Sequence, residues 1–111
     1  MDERIEKWLY DIRFAIEEID GFFETQERNF YKFCNNKLLK RGIERNLEII
    51  GEAVSRILTR DPEFPIDGAR KIIGLRNYII HSYDNISDAT IWAIVMNNIP
   101  VLKKEVDKLL E

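Results

Sequence analysis

The sequence predicts an all-α protein, an antiparallel helical bundle of three to four long helices plus one short helix. Apolar residues recur every three to four positions through long segments, which is the period of one helix face. No stretch alternates apolar and polar residues in the way that a half-buried strand does. Helices with a single apolar face bury those faces most simply against one another. We expect residues 1–111 to form one domain.

The first helix is predicted to run from the N-terminus to about Gly21. Its apolar residues have helical spacing, and Asp2 can accept hydrogen bonds from the free amides of the first turn. Aromatic residues between polar ones in residues 25–35 predict a short helix that packs its aromatic side chains under the next turn.

A second long helix is predicted over residues 36–59. It ends before Pro62, because proline cannot continue a helix. Within it, Gly51 and Ala53 are small enough to let a neighbouring helix approach closely.

Two further helices are predicted in the second half of the chain. The third begins at about Asp67, whose carboxylate can cap free amides, and runs toward His81. The fourth is capped by Ser87 or Asp88. Because the apolar pattern is strong on both sides of Pro100, we expect this proline to bend the fourth helix without ending it.

Composition narrows the class of protein. Cys34 is the only cysteine, so an intrachain disulfide and a cysteine zinc cluster are excluded and a reducing compartment is favoured. No apolar run approaches the roughly 18 residues of a membrane span. We therefore expect a cytoplasmic protein with no membrane partner.

The net charge of −3 argues against a nucleic-acid partner, because phosphates select basic surfaces. The charge is uneven: residues 1–31 carry −5, residues 32–76 carry +4 and residues 77–111 carry −2. The basic middle is either a solvated helix face or a phosphate-binding surface, and charge alone does not decide between them.

One segment, Arg76 to Tyr83, concentrates the residues that could perform chemistry. His81 is the only histidine and hence the only side chain with an ordinary pKa near neutrality. A guanidinium such as that of Arg76 can hold a phosphate bidentately, and the Asn77 amide can orient either group. This set suits cleavage of a phosphodiester by its own 2′-hydroxyl, which needs no metal. The alternative is that the same residues simply pack in the core.

The run ERNLEIIGEA at residues 44–53, followed by GLRNYIIHSY at residues 74–83, resembles the HepT-like branch of the HEPN superfamily. The motif of that branch is Arg, a polar residue, three variable residues, His, any residue and Tyr. This sequence satisfies it at Arg76, Asn77, His81 and Tyr83. The resemblance covers nearly the whole chain.

The resemblance implies a HEPN-like bundle and a metal-independent endoribonuclease, the toxin of a type VII-like toxin–antitoxin pair. It implies that Arg76 and His81 are catalytic, that Asn77 supports them and that no cofactor or metal is needed. The expected partners are an RNA substrate, a second copy of the chain and a minimal nucleotidyltransferase antitoxin (MntA-like), with no DNA. The antitoxin would silence the toxin by adding AMP to Tyr83.

The sequence is also consistent with two other hypotheses. The first is a non-catalytic HEPN-type interaction or nucleotide-binding module that partners a nucleotidyltransferase, which the acidic net charge favours slightly. The second is a purely structural helical adaptor.

Overall fold

A computed structural model describes residues 1–69, 72–74 and 87–111 of the chain. These residues are predominantly helical and contain no strand, which confirms the predicted all-α class. The last three elements below form one continuous helical run. In chain order, the elements are α1 (Glu3–Thr25), α2 (Phe30–Cys34), α3 (Lys37–Arg60), a 3₁₀ turn (Asp67–Ala69), α4 (Asp88–Ala93), a π-helical turn (Ile94–Asn98) and α5 (Ile99–Leu109).

Helix α1 begins where the sequence predicts. The Asp2 carboxylate accepts hydrogen bonds from the backbone amides of Arg4 at 2.9 Å and Ile5 at 3.2 Å. These two amides have no partner within the helix, so the carboxylate stabilises its first turn.

The predicted end of α1 is wrong, because the helix continues one turn beyond Gly21. The backbone of this glycine is not left-handed, so nothing there stops the helix. The next two residues favour continuation. The Phe22 ring lies against α3, where a Cβ on Gly42 would be 2.9 Å from its Cζ atom, and the Phe23 ring meets Trp92 edge-on at 5.9 Å. Packing two rings offsets the roughly 1 kcal/mol that a helical glycine costs.

Helices α1 and α3 are antiparallel, as contacts at their ends show. At one end, Arg60 Nε lies 2.9 Å from Asp2 Oδ2, and at the other, Asn36 Nδ2 lies 3.5 Å from Gln26 Oε1. The Asn36 side chain also caps α3 by accepting from the amide of Leu39 at 3.0 Å. The predicted second long helix is therefore confirmed.

The α4–α5 run packs on α1 in the opposite direction. Lys103 Nζ lies 2.9 Å from Asp20 Oδ2, and Arg13 Nε lies 3.4 Å from Asp107 Oδ1. Both α3 and the α4–α5 run therefore lie antiparallel to α1, which agrees with the predicted antiparallel bundle.

The core lies between these three stretches and is almost entirely aliphatic. Both small residues predicted to permit close approach, Gly51 and Ala53, are buried. Asn46 is the one buried polar residue among those described, and its Nδ2 donates to the Gly42 carbonyl at 2.9 Å. Side chains with no exposed surface are Leu9, Ile12, Ile19, Phe33, Ile43, Leu47, Ile50, Val54, Ile57, Ile72 and Leu102.

Pro100 does not end its helix, as predicted. A proline has no amide hydrogen, and its ring clashes with the carbonyl four residues earlier, here that of Met96. The π-helical turn that contains this carbonyl loosens the backbone just before the proline. Ile99 and Leu102 are both buried on either side of it.

The short aromatic helix is confirmed as α2, with one correction. Phe33 is fully buried, but Tyr31 is 77% exposed and does not pack under the next turn. Residues two apart on a helix point in directions about 200° apart, so α2 cannot turn both rings inward.

The third predicted helix is described only at its beginning. Asp67 starts a 3₁₀ turn where the helix was predicted to begin, and Ile72–Gly74 are helical with Ile72 buried. The rest of this helix, through His81, lies outside the described residues.

Candidate functional site

The four residues predicted to form the site, Arg76, Asn77, His81 and Tyr83, lie within residues 75–86, outside the described part of the chain. Their arrangement therefore remains a prediction. The described residues on either side of this stretch fix the positions of its two ends.

The N-terminal flank is held against α5. The Gly68 amide donates to Glu105 Oε1 at 3.1 Å, and a Cβ at Gly68 would lie 2.7 Å from the same oxygen. Only glycine allows this close approach without displacing the carboxylate. Ile66 and Ile72, on either side, are buried. The chain therefore enters the predicted site from an anchored position.

The C-terminal flank is held at the start of α4. The Ser87 hydroxyl accepts from the Thr90 amide at 3.0 Å, which confirms one of the two predicted caps. Asp88 Oδ2 then pairs with Lys40 Nζ of α3 at 3.2 Å, in a half-buried position. Ile91 is buried one turn later.

These two flanks lie at opposite ends of the α4–α5 run. The 17 residues that separate Asp88 from Glu105 correspond to about 25 Å of helix. The predicted third helix, from Asp67 to His81, would be about 22 Å long. The end points thus suit a helix that crosses the bundle antiparallel to α4–α5.

An aromatic cluster supports the C-terminal flank. The Trp92 ring lies 5.9 Å from Phe23, 6.1 Å from Phe30 and 5.1 Å from Phe33, measured between centroids. The cluster joins α1, α2 and α4 just after the predicted site. The sequence indicated that α2 packs through its aromatic side chains, but not that Trp92 is their common partner.

The surface charge is concentrated near the same flank. Residues 32–45 contain five Lys or Arg and one Asp or Glu, so the positive excess of the middle of the chain is focused at the start of α3. Its arginines Arg41 and Arg45 have side chains 70% and 73% exposed. The sequence alone shows the positive excess but does not decide whether it forms a solvated helix face or a phosphate-binding surface.

Cys34 lies near the same corner and is half-buried. Burial raises the pKa of the Cys34 thiol, and the neighbouring Asp88 carboxylate raises it further. The thiol is therefore protonated at neutral pH and is a poor nucleophile.

Other features of the described residues offer less for chemistry. A cavity of about 200 Å³ between α1 and α5 is lined by two cations, Arg13 and Lys103, and by two acids, Glu17 and Asp107, so its charges balance. Within residues 1–69, 72–74 and 87–111 no group of three or more His, Cys, Asp or Glu side chains could hold a metal ion. None of the helices in those ranges is long and apolar enough to cross a membrane.

Comparison with known proteins identifies the family. Residues 12–109 match the family described as Ribonuclease HepT-like. A Methanocaldococcus jannaschii protein named "Putative RNase MJ1380" is 37% identical over 93% of this chain and 94% of its own length. A Thermococcus cleftensis protein named "Probable ribonuclease HepT" is 36% identical over 92% of each chain. No solved structure matches.

The match covers all the described helices except the first turns of α1, and it confirms the family that the sequence resembles. It also confirms the expected class of enzyme, an endoribonuclease. The chain belongs to the HepT-like ribonuclease family of the HEPN superfamily.

Proposed function

We propose that this chain is the toxin of a toxin–antitoxin pair and cleaves cytoplasmic RNA without a metal ion. The observation that carries the proposal is the intact motif Arg76, Asn77, His81 and Tyr83 in a chain of the HepT-like ribonuclease family. The anchored flanks support it, because a site that holds a phosphate needs fixed ends.

The proposed reaction is a transesterification. His81 takes the proton of the 2′-hydroxyl, whose oxygen then bonds to the adjacent phosphorus. The bond from phosphorus to the 5′-oxygen breaks, and that oxygen receives a proton as it leaves. The products are a 2′,3′-cyclic phosphate and a 5′-hydroxyl. Arg76 stabilises the charge that builds up on the phosphate oxygens, and Asn77 orients the reacting groups.

This chemistry favours a two-fold dimer. One group must accept a proton and another must donate one, whereas each chain has a single histidine. On a regular helix Arg76 and His81, five residues apart, point about 140° away from each other. A two-fold interface would bring both motif segments to one groove, so that Arg76 of one chain can act with the other chain's His81.

Tyr83 is the proposed control point. Its phenolic oxygen would attack the α-phosphorus of ATP in a partner nucleotidyltransferase, releasing pyrophosphate and a proton and leaving AMP on the ring. Tyr83 and Arg76 are seven residues apart and would share one line of a helix. The phosphate of the added AMP would then pair with the Arg76 guanidinium, which would no longer be available to the RNA phosphate.

Incubating unmodified protein with RNA in excess EDTA tests the reaction. We expect cleavage to 2′,3′-cyclic phosphate ends, with His81→Ala and Arg76→Ala each lowering the rate by about 10²-fold or more. Their helical circular dichroism should stay unchanged. Cleavage only after metal addition would refute metal independence. Loss of folding in both variants would mean that these residues pack in the core.

Two further measurements test the partners. Co-expression with a cognate nucleotidyltransferase should add whole AMP units to the intact mass, and Tyr83→Phe should remain unmodified. Light scattering should give a dimer, and an active monomer at assay concentration would contradict the shared groove. A chain that binds the transferase but cleaves no RNA would instead be the non-catalytic interaction module.

A further inference from the structure

A basic surface extends over the start of α3 and the adjoining α2. We define this α2–α3 surface by Tyr31, Lys37, Arg41 and Arg45. All four side chains are exposed, and Tyr31 is the most exposed aromatic residue of those described. The surface combines a row of cations with an aromatic ring, which is the composition of sites that bind single-stranded nucleic acid.

The three cations on α3 form a regular row. Lys37, Arg41 and Arg45 are spaced four residues apart, so they share one face of the helix with neighbouring Cβ atoms about 5–6 Å apart. The row is about 12 Å long from first to last. It can therefore contact several successive phosphates of an extended strand.

The guanidinium groups are available to a ligand. Arg41 lies 3.4 Å from Glu44 and Arg45 lies 3.7 Å from Glu48, distances too long for strong charge-assisted hydrogen bonds. Pairs of this kind at an exposed surface contribute little, because solvent screens them. Lys37 makes no ion pair with any residue that the structure describes. A phosphate, which can accept two hydrogen bonds from one guanidinium, would compete well with these carboxylates.

The surface adjoins the stretch that contains the proposed catalytic residues. Lys40, between Lys37 and Arg41, pairs with Asp88 at 3.2 Å. Tyr83 precedes Asp88 by five residues, and five residues of chain span at most about 18 Å. RNA bound in the proposed site would therefore reach the α2–α3 surface within a few nucleotides.

The other end of α3 is less suited to phosphates. On α3, Arg56 lies 2.6 Å from Glu52, and Arg60 lies 2.9 Å from Asp2. These two cations are engaged more closely than Arg41. On α3, the cations that a phosphate can reach without breaking a close ion pair therefore lie at its start.

We propose that the α2–α3 surface binds single-stranded RNA next to the cleaved bond. Arg41 and Arg45 hold phosphates, Lys37 extends the row, and Tyr31 stacks on a base. The proposal rests on the ribonuclease function proposed above and specifies where the substrate strand lies.

Binding of a labelled single-stranded oligoribonucleotide to His81→Ala protein tests the surface without cleavage. We expect Arg41→Gln with Arg45→Gln to raise the dissociation constant at least about tenfold at low salt. Loss of two phosphate contacts should also reduce the slope of log affinity against log salt by about 1.4. The matched control is Arg56→Gln, which removes one exposed arginine from the other end of the same helix and should change neither quantity.

The outcomes separate this proposal from the proposed function. If the chain cleaves RNA but the double variant binds like Arg56→Gln, the surface is wrong and the ribonuclease stands. If the double variant loses binding while no chain cleaves RNA, the surface stands and the catalytic proposal fails. Wild-type protein that binds no RNA overturns the surface. So does a double variant that loses only its nucleotidyltransferase partner.

Photocrosslinking tests the aromatic contact. An oligoribonucleotide with 5-iodouridine at each position in turn should crosslink to Tyr31, as mapped by mass spectrometry. Tyr31→Phe should retain RNA affinity and Tyr31→Ala should lose it, because stacking needs the ring and not the hydroxyl. Crosslinks confined to α1 would refute the proposed path of the strand.

Discussion

Replacement of Phe33 by alanine should be among the most destabilising single changes in the described chain. Phe33 has no exposed surface, and its ring lies 5.1 Å from Trp92 in the aromatic cluster that joins α1, α2 and α4. Truncation of a buried phenylalanine costs about 3–5 kcal/mol, because apolar contact is lost and a cavity remains. A domain of this size has about 5–15 kcal/mol of stability in total. The Phe33→Ala variant should therefore still fold, but with a much smaller free energy of unfolding.

The same short helix provides a matched control. Tyr31→Ala removes a ring of nearly equal size two residues away, where the side chain is 77% exposed. Tyrosine and phenylalanine have similar helix propensities, so the change in propensity is the same in both variants and cancels. Tyr31→Ala should change the free energy of unfolding by less than about 0.5 kcal/mol.

Urea denaturation followed by circular dichroism measures both effects. At about 4 °C per kcal/mol, Phe33→Ala should also lower the melting temperature by about 12–20 °C. Free energies of unfolding within about 1 kcal/mol of each other for the two variants would refute this packing of α2. Equal m-values in wild type and variants are needed for the comparison, because a changed slope would indicate an altered unfolded state.

Three other predictions concern local interactions. Ser87→Ala should lower stability by about 1 kcal/mol in urea unfolding by removing the α4 cap, and Ser87→Asp should retain it. The hydrogen bond from Arg60, followed by those from backbone amides, lowers the pKa of the Asp2 carboxyl, so its contribution is present above the unfolded pKa of about 3.9 and is lost as pH falls through the folded value. Asp2→Asn should therefore reduce the acid-induced loss of stability, measured by urea titrations from pH 6 to pH 2. Gly42→Ala should be more favourable in a Phe22→Ala background than in wild type by about 1 kcal/mol or more in a double-mutant cycle, since its Cβ would lie 2.9 Å from the Phe22 ring. Additive effects of the two substitutions on the free energy of unfolding would show that the Phe22 ring moves away from the added Cβ without destabilising the protein.

The elements of the fold that depend on local sequence could be predicted. The caps at Asp2 and Ser87 and the start of α3 at Asn36 follow from short polar side chains before apolar periodic segments. The end of α1 could not, because its continuation past Gly21 depends on rings that pack against distant helices. Tertiary packing overrides propensity in such a case.

Part of the candidate site could likewise be predicted from local sequence, and part could not. The motif from Arg76 to Tyr83 indicates which groups could react, since residue type and spacing are visible in the sequence. The ion pair between Lys40 and Asp88 joins residues 48 apart and leaves no local pattern. The closeness of the α2–α3 surface to the end of the motif stretch could therefore come only from the structure.

The position of Cys34 gives the protein a chemical reporter of its own motions. It is the only thiol in the chain, and it lies beside the Lys40–Asp88 pair, where burial and the Asp88 carboxylate suppress its ionisation. An alkylating reagent reacts with the thiolate, so the raised pKa and partial burial should make labelling slower in the native protein than in urea. The ratio of the two labelling rates measures how strongly this corner protects the thiol. No cysteine has to be introduced or removed for this measurement, which can be repeated with RNA or a partner protein bound.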